Sequence, residues 1–132
     1  MTSQIAPTTI DPDVPAGRQV VQSYGAGRFR ISDVVIDGSA LVFPDRAAAW
    51  DVRDASTITL DSLQEVLSAE PAIDVLFIGC GDVYVDEPPS LRASLRERGI
   101  VLEWMDTAPA CRTWNVVVAD DRRIALALIA MV

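Results

Sequence analysis

The amino-acid sequence predicts an α/β domain in which an antiparallel β meander is followed by a βαβαβ-type mixed sheet. Three observations predict it. The first half carries short alternating apolar runs divided by Gly, Pro and Asp turn signals. The second half alternates helical patterns with apolar strands, an order that implies parallel strands joined by crossovers. A chain of 132 residues, half of them hydrophobic, can also bury a sufficient core without a metal or disulfide.

Residues 1–18 read as a disordered or loosely packed tail, because Pro7, Pro12 and Pro15 interrupt it and no strand or helix period runs through it. The single domain is expected over residues 19–132. Val20, Val21 and Tyr24 precede a Gly25-Ala26-Gly27 turn. Phe29 and Ile31 alternate with Arg28, Arg30 and Ser32, as in a half-buried strand. Val34 to Ile36 continue that strand to Asp37-Gly38, read as a hairpin turn. Ala40 to Phe43 return from it, and Pro44-Asp45 end the return. Ala47 to Val52 form a further short strand carrying Trp50, and Ser56 to Leu60 a weak strand or approach loop.

Asp61-Ser62-Leu63-Gln64 has the form of a capping box with Asp61 as N-cap. Leu63, Val66 and Leu67 mark one apolar face of the helix that follows, and Pro71 stops it. Ile73 to Ile78 is apolar except for Asp74, as in a strand covered on both faces. Pro88-Pro89 starts the next helix, Leu91 and Leu95 face inward, and Gly99 ends it. Ile100 to Met105 is a strand. Asp106 or Thr107 caps a helix running to about Ala119, with Pro109 tolerated in its first turn. Ile124 to Val132 is the last strand.

Composition excludes several classes of function. A net charge of -8 argues against binding nucleic acid and against adsorption on anionic lipid. No apolar run is long enough to span a bilayer, and there is no signal-peptide pattern. A cytoplasmic protein is therefore expected. The sequence leaves homo-oligomerisation undetermined. The chain has no histidine, so Ser-His-Asp and Cys-His machinery cannot be built within it. Its two cysteines, Cys80 and Cys111, are too few for a zinc site or a disulfide framework. No metal and no cofactor are expected.

Gly79-Cys80-Gly81 follows a buried strand, with Glu103 on the next strand, and shares features with a dinucleotide-binding turn. Yet Tyr84 stands at the third glycine position and the helix opens only at Pro88. The pyrophosphate would lack its helix N-terminus. A tight strand exit needing positive φ is the simpler reading. Cys111 sits early in a helix beside Arg112, which favours a thiolate, but no histidine can activate it and core packing is the commoner fate of a free cysteine. Trp114 reads as a core anchor. Asn115, a poor mid-helix residue, implies a hydrogen bond to a neighbouring loop or the orienting of a ligand. Asp82, Asp86 and Glu87 form an acidic loop without Ca²⁺-loop spacing. Parallel pairing of 73–78 with 100–105 sets Gly79, Cys80, Gly81 and Asp82 beside Asp106, Thr107, Cys111, Arg112 and Asn115. The result is a crevice at the edge where open α/β sheets bind ligands, close enough to bring Cys80 near Cys111.

Several stretches together carry a resemblance: Ile36-Asp37-Gly38, Trp50, Asp74 through Gly81, Leu91-Arg92-Ala93-Ser94-Leu95 to Gly99-Ile100, and Met105-Asp106-Thr107 through Cys111-Arg112-Thr113-Trp114-Asn115. From about Tyr24 to Val132 the chain resembles a family of small single-domain proteins. That family includes mitochondrial complex I (NADH dehydrogenase) assembly factor 3 and the adipogenesis-associated domain protein. The resemblance implies a three-layer β/β/α fold and transfers no catalytic residue. Pro109, Trp114 and the acidic loop before Pro88-Pro89 depart from the family pattern, the last arguing against a shared anion site.

The expected function is that of a non-catalytic, protein-interacting or assembly-type factor. The alternative is a small-molecule-binding protein or enzyme using the crevice of residues 79–82 and 107–115. A redox-active thiol protein is the weaker third reading, since Cys80 and Cys111 lack C-x-x-C spacing. An enclosed pocket at the strand ends would favour the alternative, and a filled edge with apolar surface exposed elsewhere would favour the first.

Overall fold

The computed structural model describes residues 8–9 and 17–132. Among the described residues, nine strands form two sheets. One is antiparallel, with β1 (Thr8–Thr9), β2 (Val21–Gly25), β3 (Arg28–Ile31) and β4 (Val34–Asp37) in spatial order. The other contains β5 (Ser39–Val42), β6 (Ala47–Trp50), β7 (Val75–Gly79), β8 (Val101–Met105) and β9 (Ile124–Leu128), in the order β6-β5-β9-β7-β8. Strands β7, β8 and β9 are parallel, while β5 runs antiparallel to both β6 and β9. The helices are α1 (Gln64–Leu67), α2 (Leu91–Glu97) and α3 (Thr107–Val117). The α/β class and the meander followed by a mixed sheet are as the sequence predicts.

Most of the expected tail lies outside the described residues. Of the part described, β1 pairs with β2, and Arg18 donates to the carbonyls of Val118 and Asp120, each at 3.2 Å.

Crossover direction sets the layers. The chain steps outward from β7 to β8 through α2, then back past β7 to β9 through α3. Two right-handed crossovers of opposite sense place their helices on opposite faces of the sheet. Leu91 and Leu95 of α2 accordingly pack with Leu76, Ile78, Ala125 and Ala127 on one face. Ala110, Cys111 and Trp114 of α3 pack with Phe77, Ile124, Leu126 and Leu128 on the other, where Phe29, Ile31 and Ile36 of the first sheet complete the core. Strand β9 lies between these two cores, so all five of its residues are buried.

Two local expectations are corrected. The first strand does not continue through Val34: it turns at Ser32-Asp33, whose φ values of 46° and 70° make a tight hairpin between β3 and β4. Gln22 holds that turn, accepting from the Asp33 N–H at 2.6 Å and donating to its carboxylate at 3.0 Å. Asp37-Gly38 is then no hairpin, because β4 and β5 belong to different sheets and Gly38, at φ 81°, carries the chain across. The expected capping box at Asp61 is also displaced. Thr59 and Ser62 form the reciprocal pair: the Thr59 N–H donates to Ser62 Oγ at 2.9 Å and the Ser62 N–H to Thr59 Oγ1 at 3.2 Å. A 3-10 turn over Asp61–Leu63 leads into the single turn of α1.

Candidate functional site

The parallel register of β7 and β8, from Val75 opposite Val101 to Gly79 opposite Met105, brings both strand ends to one edge. The two predicted lips do meet there. The Cys80 N–H donates to the Met105 carbonyl at 2.8 Å and the Thr107 N–H to the Gly81 carbonyl at 3.0 Å. The Thr107 hydroxyl accepts from the Gly81 N–H at 2.9 Å and donates to the Ile129 carbonyl at 2.8 Å. Thr107 is fully buried and its bonding is internal to the fold.

Gly79 explains how the lips come so close. A Cβ built there would stand 2.7 Å from the Thr107 Cα and 3.1 Å from the Ala110 Cβ. The glycine is required by the approach of the α3 backbone. Two residues on, Gly81 takes φ 120°, the tight strand exit anticipated from its position. Helix α2 starts only at Leu91, so no helix N-terminus faces these glycines from the following segment.

The remaining site residues divide between the two cores and the surface. Cys80 belongs to the core under α1 and α2, Cys111 to the core under α3, and both are free thiols. The expected proximity of the two therefore gives no bridge. Burial pushes both thiols up from the ordinary cysteine range, and Arg112 offsets little of that for Cys111. Cys80 Sγ accepts from the Val85 N–H at 3.4 Å. Asp106 holds the N-cap position of α3 without a side-chain capping bond. Arg112 is exposed and donates to the Tyr24 hydroxyl at 3.1 Å. Asp82 is exposed.

Asn115 is committed to the backbone of β2. Its Oδ1 accepts from the Val21 N–H at 2.9 Å and its Nδ2 donates to the Val21 carbonyl at 2.8 Å. The amide thus replaces a strand partner at a point where the β2–β3 register is interrupted by a bulge between Val21 and Ser23. Trp114 is fully buried, and its indole N–H donates to the Gln19 carbonyl at 3.0 Å. In the acidic loop, Glu87 is taken by Arg92 through two bonds of 3.0 and 2.8 Å. Among the described residues no group of three acidic, cysteine or histidine side chains could hold a metal ion.

Open space lies elsewhere. A cavity of about 260 Å³ opens at the opposite edge of the sheet around Arg46 and Ile73, and a shallow one of about 570 Å³ around Trp50 and Asp61. Neither location was visible from motif or spacing. Beside the sealed seam, Val83 and Tyr84 stand exposed at 73% and 59%, and Val34 and Val35 are exposed on edge strand β4. No described helix is long and apolar enough to cross a membrane.

A family model described as a protein of unknown function (DUF498/DUF598) matches residues 21–129. NADH dehydrogenase [ubiquinone] 1 alpha subcomplex assembly factor 3 of Xenopus tropicalis is 32% identical over 109 residues, covering 83% of this chain and 60% of that protein. The chain thus spans about three-fifths of the length of such relatives. An uncharacterised protein of Rhodobacter capsulatus is 31% identical, with 88% of each chain covered. Among solved structures, one described as an outer membrane protein from Bartonella henselae superimposes with a TM-score of 0.78 at 34% identity, covering 88% of this chain and 98% of its own.

Proposed function

The chain belongs to the DUF498/DUF598 family of proteins of unknown function, and on that premise we propose that it is a non-catalytic cytoplasmic factor that acts by binding another protein, in the manner of an assembly factor. Residues 19–132 are the working domain in this reading. Relatives named as complex I assembly factors support it. The observation that carries it is the Thr107 seam. The hydroxyl best placed for chemistry at the strand ends is spent on Gly81 and Ile129, and Gly79 leaves no room beside it. The alternative, a small molecule held between residues 79–82 and 107–115, would have to open that seam and leave buried backbone groups unpaired.

The apolar side chains exposed next to it point the same way. Val83 and Tyr84 project from a loop that is itself anchored, since Val85 bonds to both Cys80 and the Trp104 indole. A fixed loop presenting an aromatic anchor is the kind of feature interfaces use. The test is affinity capture from native cell extract with the intact chain and with V83S/Y84S, alongside native mass spectrometry. A stoichiometric protein partner recovered by the first and lost by the second is expected. A stoichiometric small molecule with no protein partner overturns the reading.

A further inference from the structure

The cavity of about 260 Å³ lies at the edge where β7 and β9 begin, away from the Thr107 seam. Its floor is apolar: Phe43, Ile73 and Ile124 are all buried. Four arginines line it, Arg18, Arg46, Arg122 and Arg123. The chain has eleven arginines and no lysine, and its net charge is -8, so four around one small cavity is a local concentration of cations. The lining carboxylates are Asp45, Glu70 and Asp121, and Asp74 pairs with Arg123 from just outside the lining, so the charges balance and Arg122 is the arginine left without an ion-pair partner among the described residues.

Three of those arginines, Arg46, Arg122 and Arg123, are available to a ligand, while Arg18 is held by Asp121 at 3.5 Å. The Arg46–Asp45 pair, at 3.4 Å, and the Arg123–Asp74 pair, at 3.2 Å, have all four side chains about half exposed or more. Water screens such pairs almost completely, so an incoming anion can replace the carboxylate. Arg122 makes no side-chain hydrogen bond or ion pair among the described residues. Arg46 is positioned: its guanidinium carbon lies 3.9 Å from the centroid of the Phe43 ring. Stacking occupies the flat face and leaves the in-plane donors free for bidentate bonding. Arg18 is anchored from behind by the carbonyls of Val118 and Asp120.

We infer that this cavity binds a small monocarboxylate with an apolar body. A single arginine without an ion-pair partner, Arg122, beside the stacked Arg46 matches one negative charge, and the balanced surroundings suit a polyphosphate poorly. The planar fork of arginine matches a carboxylate, and the Phe43–Ile73–Ile124 floor takes the apolar part. The volume restricts the ligand to a short- or medium-chain or single-ring acid. The inference rests on the cavity alone and is independent of the assembly reading.

The test is titration of the intact chain with octanoate and with phenylacetate, followed by calorimetry and by backbone amide chemical shifts, with octanamide and phenylacetamide as neutral controls. Saturable one-site binding of an acid is expected, with shifts confined to residue 18 and residues 43–46, 69–73 and 121–124. The amides, and the acids against R46Q/R122Q, are expected to bind at least about tenfold more weakly. The absence of saturable binding, equal affinity for acid and amide, or shifts clustered elsewhere each overturns it. The acid–amide comparison uses the unmodified chain and stands even if the double variant fails to fold.

Discussion

The Gly79 Cα faces the Thr107 backbone so closely that a Cβ would lie 2.7 Å from the Thr107 Cα and 2.9 Å from its Oγ1. The first of these neighbours is main chain inside a helix and cannot rotate away. G79A is therefore expected to lower stability by about 2–3 kcal/mol through overpacking. Gly99, at φ 81° with nothing within 4 Å of a built Cβ, provides the contrast. G99A carries only the backbone cost, about 1 kcal/mol. Urea unfolding at neutral pH checks the order, and a G79A midpoint at or above that of G99A would refute the close-approach account.

Thr107 tests whether the seam is held by the hydroxyl or by packing. T107V keeps the shape but strands the Gly81 N–H and the Ile129 carbonyl, both otherwise paired at the hydroxyl. An unsatisfied buried group costs roughly 1–3 kcal/mol, so about 2–6 kcal/mol is expected for the two. T107S keeps both bonds and loses one methyl, worth about 1 kcal/mol. Amide exchange at Gly81 should accelerate in T107V and stay near the unmodified rate in T107S.

Asn115 acts as a strand partner in side-chain form, accepting from and donating to the two backbone groups of Val21. In N115D the carboxylate still accepts from the Val21 N–H but turns a second oxygen toward the Val21 carbonyl. Burial and that repulsion raise the folded-state pKa of the new carboxyl above its unfolded value. The folded state then holds more protons than the unfolded state between those two values, and stability falls as pH rises through that window. N115D should be well below the unmodified protein at pH 7 and recover part of the gap toward pH 4. Denaturant melts at the two pH values decide it: a gap that does not narrow on acidification would show that the Asn115–Val21 pairing is not what the substitution disturbs.

What was legible in the sequence was whatever depended on long runs. The strands from Ile73 and Ile100, their parallel pairing and the meeting of their ends follow from apolar continuity and crossover logic, and the structure places them so. What was not legible depended on residues far apart in the chain. The Ser32-Asp33 turn has weaker local chemistry than Asp37-Gly38, yet it forms because Gln22, ten and eleven residues earlier, grips it. Asn115 was readable as a tie but not its target, Val21, on the other sheet. The arginine-lined cavity joins four separate segments, so no spacing could reveal it. That the crevice is filled could not be read either, because a glycine after a strand looks the same whether it clears space for a ligand or for a helix backbone.

The two thiols give the last prediction, which separates a structural pair from a redox pair. Cys80 packs with the α2 side of the sheet and Cys111 with the α3 side, in different cores. Burial raises both above the ordinary thiol range, Cys111 more than Cys80, so neither offers a thiolate at neutral pH. In native protein at pH 7, alkylation should be slow at Cys80 and slower at Cys111, and both should react fully in denaturant. Raising the pH to 9 should gain little at Cys111, because its thiol remains protonated. The intact mass after exposure to air or oxidised glutathione should match two free thiols. A loss of two hydrogens from the native protein would require the two cores to exchange residues across the sheet, and would restore the redox reading that this geometry disfavours.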